Sequence, residues 1–168
     1  AGFEIPAAAW ESAILPARVH GYRPDWLDHL TLTGEVVWGR LWGEGEGAIR
    51  TTPVTLLPRR DLDDWMTLSD LASRRDPAAL SSRGRSLLEL LDARGALFTQ
   101  ELESASGMLS THLNMALAEL IARGWITCDS FSGLRRLLRP STARRFGAKA
   151  PPAAAGRWSL LRAPGKNE

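Results

Sequence analysis

Cysteine is nearly absent from this chain: Cys128 is the single thiol in 168 residues. One thiol closes no intramolecular disulfide and is too little for a cysteine-based zinc site, so an intracellular setting is the expectation. No apolar run approaches the roughly 20 residues that cross a bilayer, which leaves no membrane partner to expect. The N-terminus lacks the basic-then-apolar order of a secretion signal. Enzyme signatures are equally scarce. The glycine-rich stretch 43–47 has neither the lysine nor the following helix of a phosphate-binding loop. His20, His29 and His112 have no metal-ligand spacing. Asp61, Asp63 and Asp64 cluster at a helix start, where carboxylates complement the helix dipole. The residues therefore point to no catalytic residue, no cofactor-binding residue and no metal ligand. The chain opens on Ala1 rather than on a methionine and is expected to be a segment of a longer protein.

What is present is an ordinary globular composition, 44% hydrophobic and 24% charged, with a lopsided charge. Residues 1–122 hold 11 Lys/Arg against 17 Asp/Glu, whereas residues 123–168 hold 10 against 2. Clustered arginine attracts phosphate and releases counterions, so the C-terminal third suits a polyanion. A solvated, partly disordered basic tail explains the same numbers.

Periodicity and punctuation predict the elements. Pro6 opens a helix to about residue 15, which Pro16 ends, and Pro24 opens a second helix with Trp26, Leu27 and Leu30 inward. Residues 35–42 and 52–57 are rich in β-branched and aromatic residues and form a hairpin. Helices follow over 61–73, 82–93, 100–106 and 111–123, the last with Ser110 as its N-cap. Residues 125–128 and 134–138 make a second hairpin. The stretch 140–156 is rich in Pro, Ala, Gly and Arg and has no assigned structure. Residues 157–161 begin another, truncated element.

Two segments align at an offset of ninety positions. Leu27, Leu30, Gly34 and Val36 match Leu117, Leu120, Gly124 and Ile126, and each series runs helix, glycine, strand, loop, strand. That is the C-terminal half of a winged helix. The expected fold is α+β, mainly α, with tandem winged-helix modules: a first, abbreviated module over 1–75, a second over 76–140, and a basic, partly disordered tail with a truncated next element over 141–168.

In a helix-turn-helix the second helix presents its first residues to the major groove. Ser110, Thr111, His112 and Asn114 occupy those positions and are candidate DNA contacts, although cap and surface roles explain them individually. Arg135, Arg136 and Arg139 fall on or just after the second wing, and Arg144 and Arg145 continue the basic run. A wing arginine rests on phosphate or in the minor groove, the reading favoured for Arg135 and Arg136 as a pair; a charged strand edge guarding against aggregation is the alternative. Trp38 and Trp42 share a strand face, where core packing outweighs base stacking.

Specific runs carry a family resemblance. Leu15-Pro16-Ala17-Arg18-Val19, Gly21-Tyr22-Arg23-Pro24, Leu27-Asp28 and Gly34-Glu35-Val36-Val37-Trp38 resemble the C-terminal region of large helicase-related (Lhr-type) proteins. So do Gly95-Ala96-Leu97-Phe98, Ala116-Leu117-Ala118-Glu119-Leu120 and Gly156-Arg157-Trp158-Ser159-Leu160-Leu161. Members are bacterial superfamily 2 DNA helicases. The resemblance implies an ATP-driven core elsewhere in the parent, with ATP and Mg confined to it. It also implies a C-terminal extension of tandem winged helices and a β-barrel, similar to AlkZ-like DNA glycosylases. That extension self-associates, and some members have uracil-DNA glycosylase activity. The expected function is thus a non-catalytic DNA-binding or positioning segment of a DNA repair helicase, cytoplasmic and nucleoid-associated. Its partners would be DNA, the parent's other domains and further copies. The rival is a structural and oligomerisation module that does not itself touch DNA. A self-contained transcription regulator is a weaker third.

Overall fold

The computed structural model describes residues 2–43, 45, 48–72, 75–139 and 156–162. The first copy of the repeat starts with strand β1 (Ile5–Pro6), then a π-helical turn over Trp10–Ile14 that runs into α1 (Leu15–Arg18). The expected helix from Pro6 is therefore a strand followed by a later helix. Pro16 does not stop that helix, because it falls in the first turn of α1, where its missing N–H is not needed. Helix α2 (Pro24–Leu32) leads to β2 (Val36–Gly39) and β3 (Pro53–Pro58). The strands form an antiparallel sheet in the order β1-β3-β2.

Helix α3 (Leu62–Ala72) follows and turns Leu62, Trp65 and Met66 onto a small cluster of Val37, Leu41 and Leu57. The second copy then has α4 (Ser82–Arg94), β4 (Leu97–Phe98), α5 (Thr99–Ser106), α6 (Ser110–Ala122) and β5 (Ile126–Cys128). Residues 134–138, expected as the returning strand, belong instead to a helix, α7 (Phe131–Leu138). Its Phe131, Leu134 and Leu137 are buried three residues apart, a helical spacing, and Ser130 accepts from the Ser132 amide at its start. The strand that closes the sheet is β6 (Arg157–Leu160), which pairs with both β4 and β5. It does not begin a truncated next element, as its place near the end of the chain suggests, but is the middle strand of the second sheet, in the order β4-β6-β5.

The two sheets share one topology, and the elements match in order: β1 with β4, α1 with α5, α2 with α6, β2 with β5, β3 with β6. The fold is α+β and mainly α, with a winged-helix pattern in both copies; the first copy has no counterpart of α4 before β1 among the described residues. The connection between the last two strands differs in length. Val36 pairs with Pro58, 22 positions on, whereas Ile126 pairs with Leu160, 34 positions on.

The main apolar core runs through both copies. Trp10, Leu27, Trp38 and Val54 join Leu87, Leu113, Leu120, Phe131 and Trp158 in it. Trp38 is fully buried and meets the rings of Phe131 and Trp158 edge-on at 6.0 and 6.2 Å. Thr127 Oγ1 donates to the Trp38 carbonyl, linking β5 to β2. Edge-to-face pairs of this kind add roughly 0.5–1.5 kcal/mol each beyond area burial.

Candidate nucleic-acid interface

Helices α5 and α6 form the second copy's helix-turn-helix. Gly107 makes the turn at φ +65°, a left-handed conformation that glycine adopts without penalty. Leu113, Ala116, Leu117, Leu120 and Ile121 of α6 face the core, as their spacing requires. Ser110 is the first residue of α6 rather than its cap; Leu109 occupies that position and makes no side-chain cap bond. Ser110 and Thr111 are exposed, and His112 and Asn114 are half-buried. No lysine or arginine occurs within α6, and none within α2.

The C-terminal half of α6 is tied down in two ways. Glu119 turns toward α4 and accepts from the Ser81 amide at 2.7 Å and the Ser81 hydroxyl at 2.5 Å. At the C-terminus three arginines donate to carbonyls that helix geometry leaves without intrahelical partners. Arg40 Nη1 reaches Ala122, Arg75 Nε reaches Arg123 at 2.7 Å, and Arg162 Nη1 reaches Gly124 at 2.8 Å. Cations there also complement the helix dipole. Arg75 and Arg162 are buried, and Arg162 pairs with Asp70 at 2.8 Å. Gly124, at φ +71°, is required by this crowding: a Cβ would lie 2.5 Å from the Arg40 carbonyl oxygen. Nothing in the sequence marks these arginines, since they are scattered and look like surface cations.

The wing of the second copy is the connection from β5 to β6, and α7 is its first part. Arg135 lies on α7 and is spent within the molecule. Its Nε and Nη2 donate to Glu11 at 2.6 and 2.8 Å, and its Nη1 to Asp28 at 3.0 Å. Burial works against its charge, but Glu11 and Asp28 more than offset this, so Arg135 holds its proton more firmly than usual. Tyr22 donates to Glu11 at 2.7 Å; burial, then that bond, pushes the phenol's pKa well up. Ser130 Oγ donates to Asp28 and the Phe131 amide to Thr31 Oγ1, so α7 is clasped to α2 of the first copy. Arg135 therefore is not a free wing residue, contrary to the strand placement expected for it.

Arg136 and Arg139 are exposed and form no ion pair with a described residue. Arg144 and Arg145 lie outside the described residues. Of the remaining basic excess, Arg157 pairs with Asp129 at 2.9 Å and Arg162 is buried. Among the described residues, the exposed cations of the sequence-predicted contacts are thus Arg136 and Arg139. Trp38 is core, and Trp42 lies beyond the end of β2 and packs edge-on against Trp65 at 6.3 Å, so the two do not share the strand face expected for a stacking platform. Among the described residues no three His, Cys, Asp or Glu side chains gather as a metal site. None of their helices is long and apolar enough to cross a membrane.

Comparison with known proteins bears on the first copy and on the chain as a whole. Residues 1–59 match the family model for the large helicase-related protein, winged-helix domain. The chain is similar to the Mycolicibacterium smegmatis protein named "Lhr helicase/ probable uracil glycosylase", at 35% identity over 160 residues. That alignment covers 89% of this chain and 9% of the relative. The Escherichia coli protein named "Lhr helicase/uracil glycosylase" is 29% identical over 191 residues, covering 96% of this chain and 12% of the relative. The chain thus spans about a tenth of the length of these curated relatives.

Proposed function

We propose that this chain, whose residues 1–59 match the family model for the large helicase-related protein, winged-helix domain, is a non-catalytic DNA-positioning segment of an ATP-dependent, Lhr-type repair helicase. ATP hydrolysis, its Mg²⁺ and any base excision belong to other parts of such a parent, in the cytoplasm. The observation that carries the reading is the charge of the second wing. Between β5 and β6 the chain has Arg135, Arg136, Arg139, Arg144, Arg145 and Lys149 against Asp129 alone among acids. One of these cations, Arg135, is satisfied internally, and Arg136 and Arg139 face solvent. Wing cations dock on phosphates without reading sequence. The two copies act here as one body, because α7 fastens the second wing to the first copy.

Binding of single- and double-stranded DNA across a salt series tests this. The wild-type chain is expected to bind with a steep salt dependence. Arg136→Ala/Arg139→Ala is expected to flatten the log–log slope by about 2, near 0.9 for each phosphate that is no longer neutralised. No binding at low salt, or an unchanged slope, would overturn the reading.

A second reading is favoured by one observation: α6 exposes Met115 at 62% and its cap residue Leu109 is 70% exposed, without a cation on the helix. Apolar exposure of this kind suits packing against the parent's other domains or another copy. In that case mutation of Leu109 and Met115 changes assembly and leaves DNA affinity alone.

A further inference from the structure

The exposed side of α6 has a composition that the wing reading does not use. Thr111, Asn114, Met115 and Ala118 follow one another at i, i+3, i+4 and i+7, so they share a face, opposite the buried Leu113, Leu117 and Leu120. We propose that this face enters the major groove of duplex DNA and selects A·T over G·C pairs, Asn114 reading adenine and Met115 meeting the thymine methyl. The inference rests on the DNA-binding reading above and adds a specificity to it.

Three observations support it. The first is chemical. Guanine is recognised chiefly by arginine or lysine on O6 and N7, and α6 contains neither. Adenine presents N7 and N6 to an asparagine amide, and thymine presents a C5 methyl to apolar side chains. Asn114, Thr111 and Met115 are of those types. The second is electrostatic. The one carboxylate on the helix, Glu119, is drawn off to Ser81 at the start of α4. His112, seven residues before Glu119, shares that flank rather than the exposed face. Phosphate attraction comes from Arg136 and Arg139 on the wing of the same copy, so α6 is free to carry uncharged readers. The third is extent. Leu109 and Met115 are the large apolar side chains that α6 and its cap expose, far short of the roughly 800 Å² per partner in a stable protein interface.

The test is binding of the 168-residue chain, at fixed moderate salt, to three duplexes of equal length. One is A·T-rich, one G·C-rich, and one A·T-rich with 7-deazaadenine, which removes N7 from the major groove and leaves the minor groove unchanged. Wild type is expected to prefer the A·T-rich duplex on the order of tenfold and to lose that preference with 7-deazaadenine. Asn114→Ala and Met115→Ala, neither at a buried position, are expected to bring the preference to within about twofold, with the salt slope of wild type retained. Equal binding of A·T-rich and G·C-rich duplexes with a normal salt slope overturns the selectivity and leaves the wing docking standing. A preference that survives both 7-deazaadenine and Asn114→Ala also overturns it, and assigns the preference to minor-groove width. A change in sedimentation mass with Met115→Ala, without change in DNA preference, overturns it in favour of a protein contact. Absence of binding to every duplex at low salt removes both proposals together.

Discussion

Arg135 illustrates how one side chain changes meaning with its surroundings. By residue type and position it is a phosphate ligand; by geometry it is a clasp between two carboxylates on the other copy. Removing it strands Glu11 and Asp28, both only partly exposed, without their shared cation. Arg135→Ala is expected to cost about 3 kcal/mol in urea unfolding, because uncompensated, partly buried charge is expensive. Arg135→Lys is expected to recover less than half of that, since an ammonium cannot bridge two carboxylates as a planar fork does. Equal stability of Arg135→Ala and wild type would show that the clasp contributes nothing. Cys128 makes the opposite case. Burial pushes its thiol pKa up to about 12, so the reactive thiolate is scarce at neutral pH. Because the raised value favours the protonated form of the native state, any contribution it makes to stability is complete below the thiol's ordinary pKa of 9.0 and fades as pH climbs toward 12. A thiol reagent at neutral pH is expected to label the native chain far more slowly than the urea-unfolded chain; equal rates would contradict the buried placement.

Elements are legible where local pattern and tertiary burial agree. The stripe of α6, the glycine stops at Gly34 and Gly124, and the β2–β3 hairpin follow from periodicity and turn chemistry, and the repeat offset ties the copies together. Four elements escape, for three reasons. Strands β1 and β4 are two residues long, too short for an alternation to register. Helix α7 reads as a strand because hairpin logic demands a return strand after Asp129, and its eight residues include glycine and two arginines. The true return strand comes twelve positions later than the first copy's spacing allows, after a segment whose length periodicity cannot measure. The candidate site is legible as residue types, not as contacts. That Arg136 faces solvent while Arg135 faces Glu11 depends on the helical phase of α7, which only the correct element assignment provides.

On the scale of the whole molecule, the shared core decides how the two copies behave. Trp38 belongs to the first sheet by sequence and to Phe131 and Trp158 by packing. Trp38→Ala is therefore expected to destabilise both copies together, by about 4 kcal/mol, and wild type is expected to unfold in a single calorimetric transition whose van't Hoff and calorimetric enthalpies agree. Two resolved transitions, one unaffected by Trp38→Ala, would show that the copies fold independently. Charge at this scale is divided as well, with the acidic helices α2 and α3 early in the chain and the cationic wing late in it.

The placement of Trp158 has a consequence for synthesis. Strand β3 completes the first sheet by Pro58, yet the indole on its neighbouring strand lacks the part of its cover that Trp158 supplies until β6 has left the ribosome. During elongation the first copy must wait with an aromatic face bare, and the second sheet lacks its middle strand through the whole of the wing. Stalled or truncated nascent chains that end inside the wing would therefore present sticky, half-built surfaces, which makes the last few residues of the second sheet the step that commits the whole unit to its native state.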